Sequence, residues 1–85
     1  MSDTHPPFRE RLARYFRQSI ENTAKLIREG MRKGEFRKDL DPAATAYAVF
    51  GSMEGLLLLS KSLKEIEPLE QGFRAVLQMM KGVRR

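Results

Sequence analysis

Apolar side chains recur at steps of three and four along most of the chain, the spacing that gathers one stripe on an α-helix. The first run holds Phe8, Leu12, Tyr15, Phe16, Ile20, Ala24, Ile27 and Met31, with Leu26 at its margin. It predicts a helix over about 7–33, roughly 40 Å long. Arg32 and Lys33 favour the negative end of the helix dipole, and Gly34 is placed to be the left-handed cap. Glu35 to Leu40 is too short and mixed for an element, and Phe36 and Leu40 are expected to tuck under the junction.

A second helix is predicted over about 42–63. Asp41 is suited to capping its first amides, and Pro42 has no amide to leave unpaired there. Wound at 100° per residue, this segment carries two apolar faces. Ala46, Val49, Phe50, Met53, Leu56 and Leu57 form a bulky one. Ala44, Ala48, Gly51 and Gly55, ending in Leu58 and Leu59, form a small one opposite. A thin polar seam of Tyr47, Glu54 and Lys61 runs between them. A helix apolar on two sides must be covered on two sides. Each glycine inside a helix is also worth about 1 kcal/mol less than alanine, so two of them ask for a packing reason. Two further helices in the same chain cannot easily cover both faces, which points to a second molecule.

The third helix is predicted over about 68–81, opening at Pro68 and closing before Gly82. Its stripe is Leu69, Phe73, Val76, Leu77 and Met80. No segment alternates with period two over strand length, so the reading is an all-α, three-helix domain over 1–85, with 1–6 expected to be a flexible tail.

Composition sharpens this. Eighty-five residues with 41% hydrophobic and 32% charged residues suit one small soluble domain. Such a chain is marginal unless something adds to its core. It has no cysteine, so oligomerisation is the natural reinforcement. The longest uninterrupted apolar run, Leu56 to Leu59, is far short of the roughly 20 residues of a membrane span. MSDTHPPF has no signal-peptide pattern. The expectation is a cytoplasmic protein with no membrane partner.

Catalysis is not expected. The single histidine, His5, sits beside Asp3 in the tail, and no nucleophile has a base near it. Asp39 and Asp41 flank a helix start, where capping and solvent account for them. No metal or cofactor is implied. The net charge of +5 and pI of about 10.0 admit a small nucleic-acid-binding protein that works through helix one. Against that, Glu10 with Arg14, Arg17 with Glu21, Glu21 with Lys25, Lys25 with Glu29 and Glu29 with Lys33 are matched at the four-residue spacing of a solvated face. Arg9, Arg11, Arg28 and Arg32 are less well matched. A further alternative is a small apolar ligand held between helix one and the rest, against Tyr15, Phe16, Ile20 and Ile27.

Arg28 to Ser62, with the helix that follows, resembles the C-terminal part of TetR-type transcriptional regulators. The resemblance lies in Gly30 and Gly34 at a helix end, Phe36-Arg37, an Asp-Leu-Asp-Pro helix start at Asp39 to Pro42, the small Ala46, and Gly51 with Gly55-Leu56. It implies that the last two helices of each subunit build a four-helix bundle joining a homodimer. The dimer interface would then comprise Ala44, Ala48, Gly51, Gly55, Leu58, Leu59, Phe73, Leu77 and Met80. Helix one would help wall an effector pocket. Nothing here matches a helix-turn-helix, so no direct DNA binding is expected from these residues. The chain is expected to be a truncated or orphan C-terminal domain that mediates homodimerisation. It could also pair with a full-length relative.

Overall fold

The computed structural model describes residues 6–81, so the tail with His5 and Asp3, and Gly82 beyond the last helix, lie outside the described residues. Three helices follow one another: α1 (Pro6–Arg32), α2 (Pro42–Leu63) and α3 (Glu67–Lys81). Each starts or ends within about one residue of the position the spacing predicts. Pro6 belongs to α1 rather than to a tail.

The helix ends have identifiable causes. Asp41 stands in extended backbone, and its carboxylate accepts from the amides of Ala43 at 3.1 Å and Ala44 at 3.3 Å, two donors the helix cannot itself satisfy. Gly34, at φ +83°, closes α1: its amide donates to Met31, and the Glu35 amide donates back to Gly30. The same paired bonds close α2 around Lys64, with Lys64 donating to Lys61 and Glu65 to Ser60. This is a Schellman ending. Lys64 takes it up at φ 59°, where a side chain is disfavoured by roughly 1–2 kcal/mol.

α2 is the middle element: α1 and α3 each pack on it and not, at the backbone, on one another. Its inward arc is Ala46, Val49, Phe50, Met53, Leu56 and Ser60, all buried or half-buried. The fully buried core is small: Ala24 and Ile27 of α1, Ala46 of α2 and Met80 of α3, with Ile20, Met31, Phe36, Leu40, Val49 and Val76 packed around them. The α2–α3 pair is antiparallel and close. A methyl group at Gly72 would collide with Leu56, and the buried hydroxyl of Ser60 accepts from the Leu69 amide at 3.0 Å. A flat molecule results, 53 × 29 × 14 Å with a radius of gyration of 15.4 Å. A compact domain of this length has a radius near 12 Å. The chain is therefore flat and extended rather than compact.

Candidate dimerisation face

The small face of α2 turns outward. Ala44, Ala48, Gly51 and Gly55 are exposed, and Leu58 and Leu59 at its far end are 66% and 51% exposed. The glycines separate into two kinds. A methyl group added to Gly30 would strike the Phe36 ring, and one at Gly72 would strike Leu56. At Gly51 and Gly55 it would meet nothing within 4 Å. Packing inside this chain thus explains Gly30 and Gly72 and leaves Gly51 and Gly55 unexplained.

Beside the small residues runs an open groove of about 340 Å³ between the N-terminal half of α2 and the end of α3, with Leu40, Ala44, Ala48, Val49, Val76 and Met79 among its walls. Arg37 closes one end. Its guanidinium is held by Asp39 through two bonds of 2.9 and 3.0 Å. Its amide donates to the Met80 carbonyl at 2.9 Å, tying the α1–α2 connection to α3. The bond from Arg37 and its charge hold the Asp39 carboxyl below the usual carboxylate range, against a smaller opposing effect of desolvation.

On α3 the residues expected at the interface lie on different sides of the helix. Met80 is 6% exposed and belongs to the chain's own core, whereas Met79 is 67% exposed and lines the groove. The reason is angular. Adjacent residues on a helix diverge by 100°, and the stripe of α3 that meets α2 and α1 passes through Met80. Phe73 and Leu77 lie roughly 120° and 160° around α3 from Met79, on the other flank from the groove. Ala75 is about 40° from Met79 and exposed. The signal for this flank is the spacing Pro68, Gly72, Ala75, Met79, small residues at helical steps that bulk-weighted reading passes over.

Of the four residues suggested for an apolar ligand, Ile20 lines a groove among the described residues. Ile27 is 2% exposed in the core. Phe16 packs edge-on against Phe50 at 5.8 Å and beside Tyr15 at 5.4 Å. Ile20 lines a second groove, of about 380 Å³, between α1 and α2, with Glu21, Ala24, Lys25, Arg28, Ala43 and Tyr47. The stretch from Tyr15 to Ile27 spans about 18 Å of helix.

The expected charge ladder on α1 is also thinner. Among the described residues the ion pairs are Glu29 with Arg32, Glu29 with Lys33, and Arg37 with Asp39. Of the matched pairs, Glu29–Lys33 alone forms, since exposed pairs gain too little to hold two long side chains in one geometry. Among the described residues no group of three or more His, Cys, Asp or Glu side chains is placed to hold a metal. By length and composition alone, α2 as a whole is long and apolar enough to cross a membrane, although its longest uninterrupted apolar run is short.

Residues 1–76 match the family model described as the tetracyclin repressor-like, C-terminal domain. An HTH-type transcriptional repressor, DhaR of Mycobacterium sp. (strain GP1), is 33% identical over 72 residues, 85% of this chain and 36% of that repressor. The chain thus spans about a third of the length of the curated relative it matches. No solved structure matches. A helix ending at Gly34, a capped α2 start at Asp41 and an antiparallel α2–α3 pair are joined here with a family match that covers α1 and α2 and reaches into α3: the chain belongs to the tetracyclin repressor-like C-terminal domain family.

Proposed function

We propose that this chain is the dimerisation portion of a TetR-like, cytoplasmic transcriptional regulator, and that two copies meet through α2 with the Ala75–Met79 flank of α3. The observation that carries the reading is the emptiness around Gly51 and Gly55. Two helix-weakening residues with no role inside the chain are accounted for if another backbone approaches there. The small core supports it as well, since a domain with little buried apolar surface gains more of it from a partner. The same surface would let the chain pair with a full-length relative that carries the matching helices.

A membrane would cover α2 equally well, but Glu54 sits near the middle of that helix, and a charge at the bilayer centre is disfavoured by about 3 kcal/mol or more. Light scattering at moderate salt without detergent or DNA is the test. A mass of twice 9.8 kDa that persists on dilution is expected, and Gly51→Leu should split it. A monomer at micromolar concentration would sink the reading.

The nucleic-acid reading gains from one observation. Arg9, Arg11, Arg14, Arg17, Lys25 and Arg28 form no ion pair among the described residues. It predicts salt-sensitive binding of duplex DNA by the isolated chain. Binding that stays absent at low salt would remove it.

A further inference from the structure

The first half of α1 is the least covered part of that helix. From Pro7 to Gln18 every residue but Ala13 is exposed. Phe8 and Tyr15 are each 58% exposed, and Leu12 and Phe16 also reach solvent. At 100° per residue these four fall within about 60° of Leu12 and make one stripe. Phe16 stands at its α2 edge, 5.8 Å from the Phe50 ring, and Tyr15 carries the stripe outward at 5.4 Å from Phe16. Four arginines share this segment with one acid, Glu10. Arg9 and Arg11 flank the stripe, about 60° to one side of Leu12 and about 100° to the other. Arg14, Arg17 and Glu10 lie about 140–160° away, on the far side. None of the five takes part in an ion pair among the described residues. The second half of α1 breaks the pattern. Acids and bases are mixed along it, and the line through Leu12 turns polar at Ser19 and Thr23.

We propose that this half of α1 lies on an anionic lipid surface, with Phe8, Leu12 and Tyr15 in the acyl boundary and Arg9 and Arg11 among the headgroup phosphates. A helix lying flat in that boundary turns its apolar arc inward and holds its flanks, about 90° from the centre of the arc, at headgroup level. Arg9 and Arg11 occupy those two flanks. Their long stems stay beside the rings while the guanidinium groups reach phosphate oxygens. Tyr15 fits the same depth, with its ring inward and its hydroxyl toward water. Arg14 and Arg17 remain in water, close enough to feel the surface charge, and Glu10 is turned away from it. Duplex nucleic acid would match the arginines and leave the aromatic stripe bare. The helix lies on the surface and does not cross it. The stripe is on a different helix from Gly51 and Gly55, so it stands or falls independently of the dimer reading.

Vesicle co-sedimentation of the full chain is the test, with equal parts phosphatidylcholine and phosphatidylglycerol set against phosphatidylcholine alone. Binding to the anionic vesicles and not to the neutral ones is expected, and it should weaken as salt rises. Phe8→Ser/Tyr15→Ser should weaken binding about a hundredfold, roughly tenfold for each ring kept out of the acyl boundary. Arg9→Gln/Arg11→Gln should weaken it about 25-fold, roughly fivefold per charge. Lys25→Gln/Arg28→Gln removes the same charge from the far side of the second half of α1 and should cost much less, about threefold in all. All six side chains are exposed, so circular dichroism of the variants should match that of the unchanged chain.

No sedimentation with anionic vesicles at low salt overturns the proposal. Equal losses from the two charge-removing variants overturn it as well, as does binding that survives the loss of both rings. Net charge alone, as for a nucleic acid, would then account for the attraction. A stripe that serves a second copy instead would show no vesicle binding and a light-scattering mass that falls in Phe8→Ser/Tyr15→Ser.

Discussion

Gly30 and Gly51 are the same residue in helices of the same protein, yet a methyl group should act on them in opposite directions. At Gly30 it would overlap the Phe36 ring, which is rigid and is itself packed against the core. Gly30→Ala is expected to lower stability by about 1–3 kcal/mol, measured by urea unfolding. At Gly51 the same change meets nothing in the chain and removes backbone freedom from the unfolded state, which alone favours the helix by about 0.5–1 kcal/mol. Gly51→Ala should therefore make the single chain more helical and at the same time weaken its pairing. Circular dichroism at high dilution, set beside the dissociation constant, separates the two effects. A second residue-scale consequence concerns acid. The Asp39 carboxyl is held below its ordinary range by the bond from Arg37, so its contribution is complete above the ordinary carboxylate value, near pH 4. It is lost as pH falls through the lower folded value. The Tm of the unchanged chain should fall more steeply below about pH 4 than that of Asp39→Asn. The difference should be small and should shrink in salt, because the pair is exposed.

At the scale of elements, the joint between α2 and α3 depends on a hydroxyl. Ser60 is buried, and its oxygen takes the Leu69 amide, one of the first amides of α3 that the helix leaves without a partner. Ser60→Ala leaves that amide unsatisfied and should cost about 1–3 kcal/mol, with faster hydrogen exchange concentrated at the start of α3. Ser60→Thr, which keeps the oxygen, should lose less. This contact was not legible in the sequence, where Ser60 reads as one more polar residue near a helix end. The same limit applies to Met79 and Met80. Periodicity shows that α3 has an apolar side, but the choice between neighbouring methionines depends on where α1 lies, which is tertiary information. By contrast, the end of α1 at Gly34, the Asp41 cap and the two-faced character of α2 were all legible, because each follows from local chemistry within a few residues. The α1 ion pairs were over-read for the opposite reason: correct spacing permits such a pair without supplying the energy to keep it.

For the whole molecule, the small core decides most. Among the described residues four apolar side chains are buried, a slight core for a chain of this length, and large side chains such as Phe8, Tyr15, Leu26, Leu58 and Met79 remain in solvent. Small domains with so little interior are marginal, and the missing apolar burial must come from association. If two copies share α2 as proposed, folding and pairing are one equilibrium, and mass action sets the apparent stability. Each tenfold rise in protein concentration should then add about 1.4 kcal/mol to the apparent stability of the dimer. The thermal midpoint should climb by several degrees over a hundredfold range of concentration. Scanning calorimetry or circular dichroism across that range measures it directly. A midpoint that stays fixed over two decades would mean that the single chain is self-sufficient. The exposed face of α2 would then need another explanation than a second copy, and the glycines at 51 and 55 would lose the role that most distinguishes them from Gly30 and Gly72.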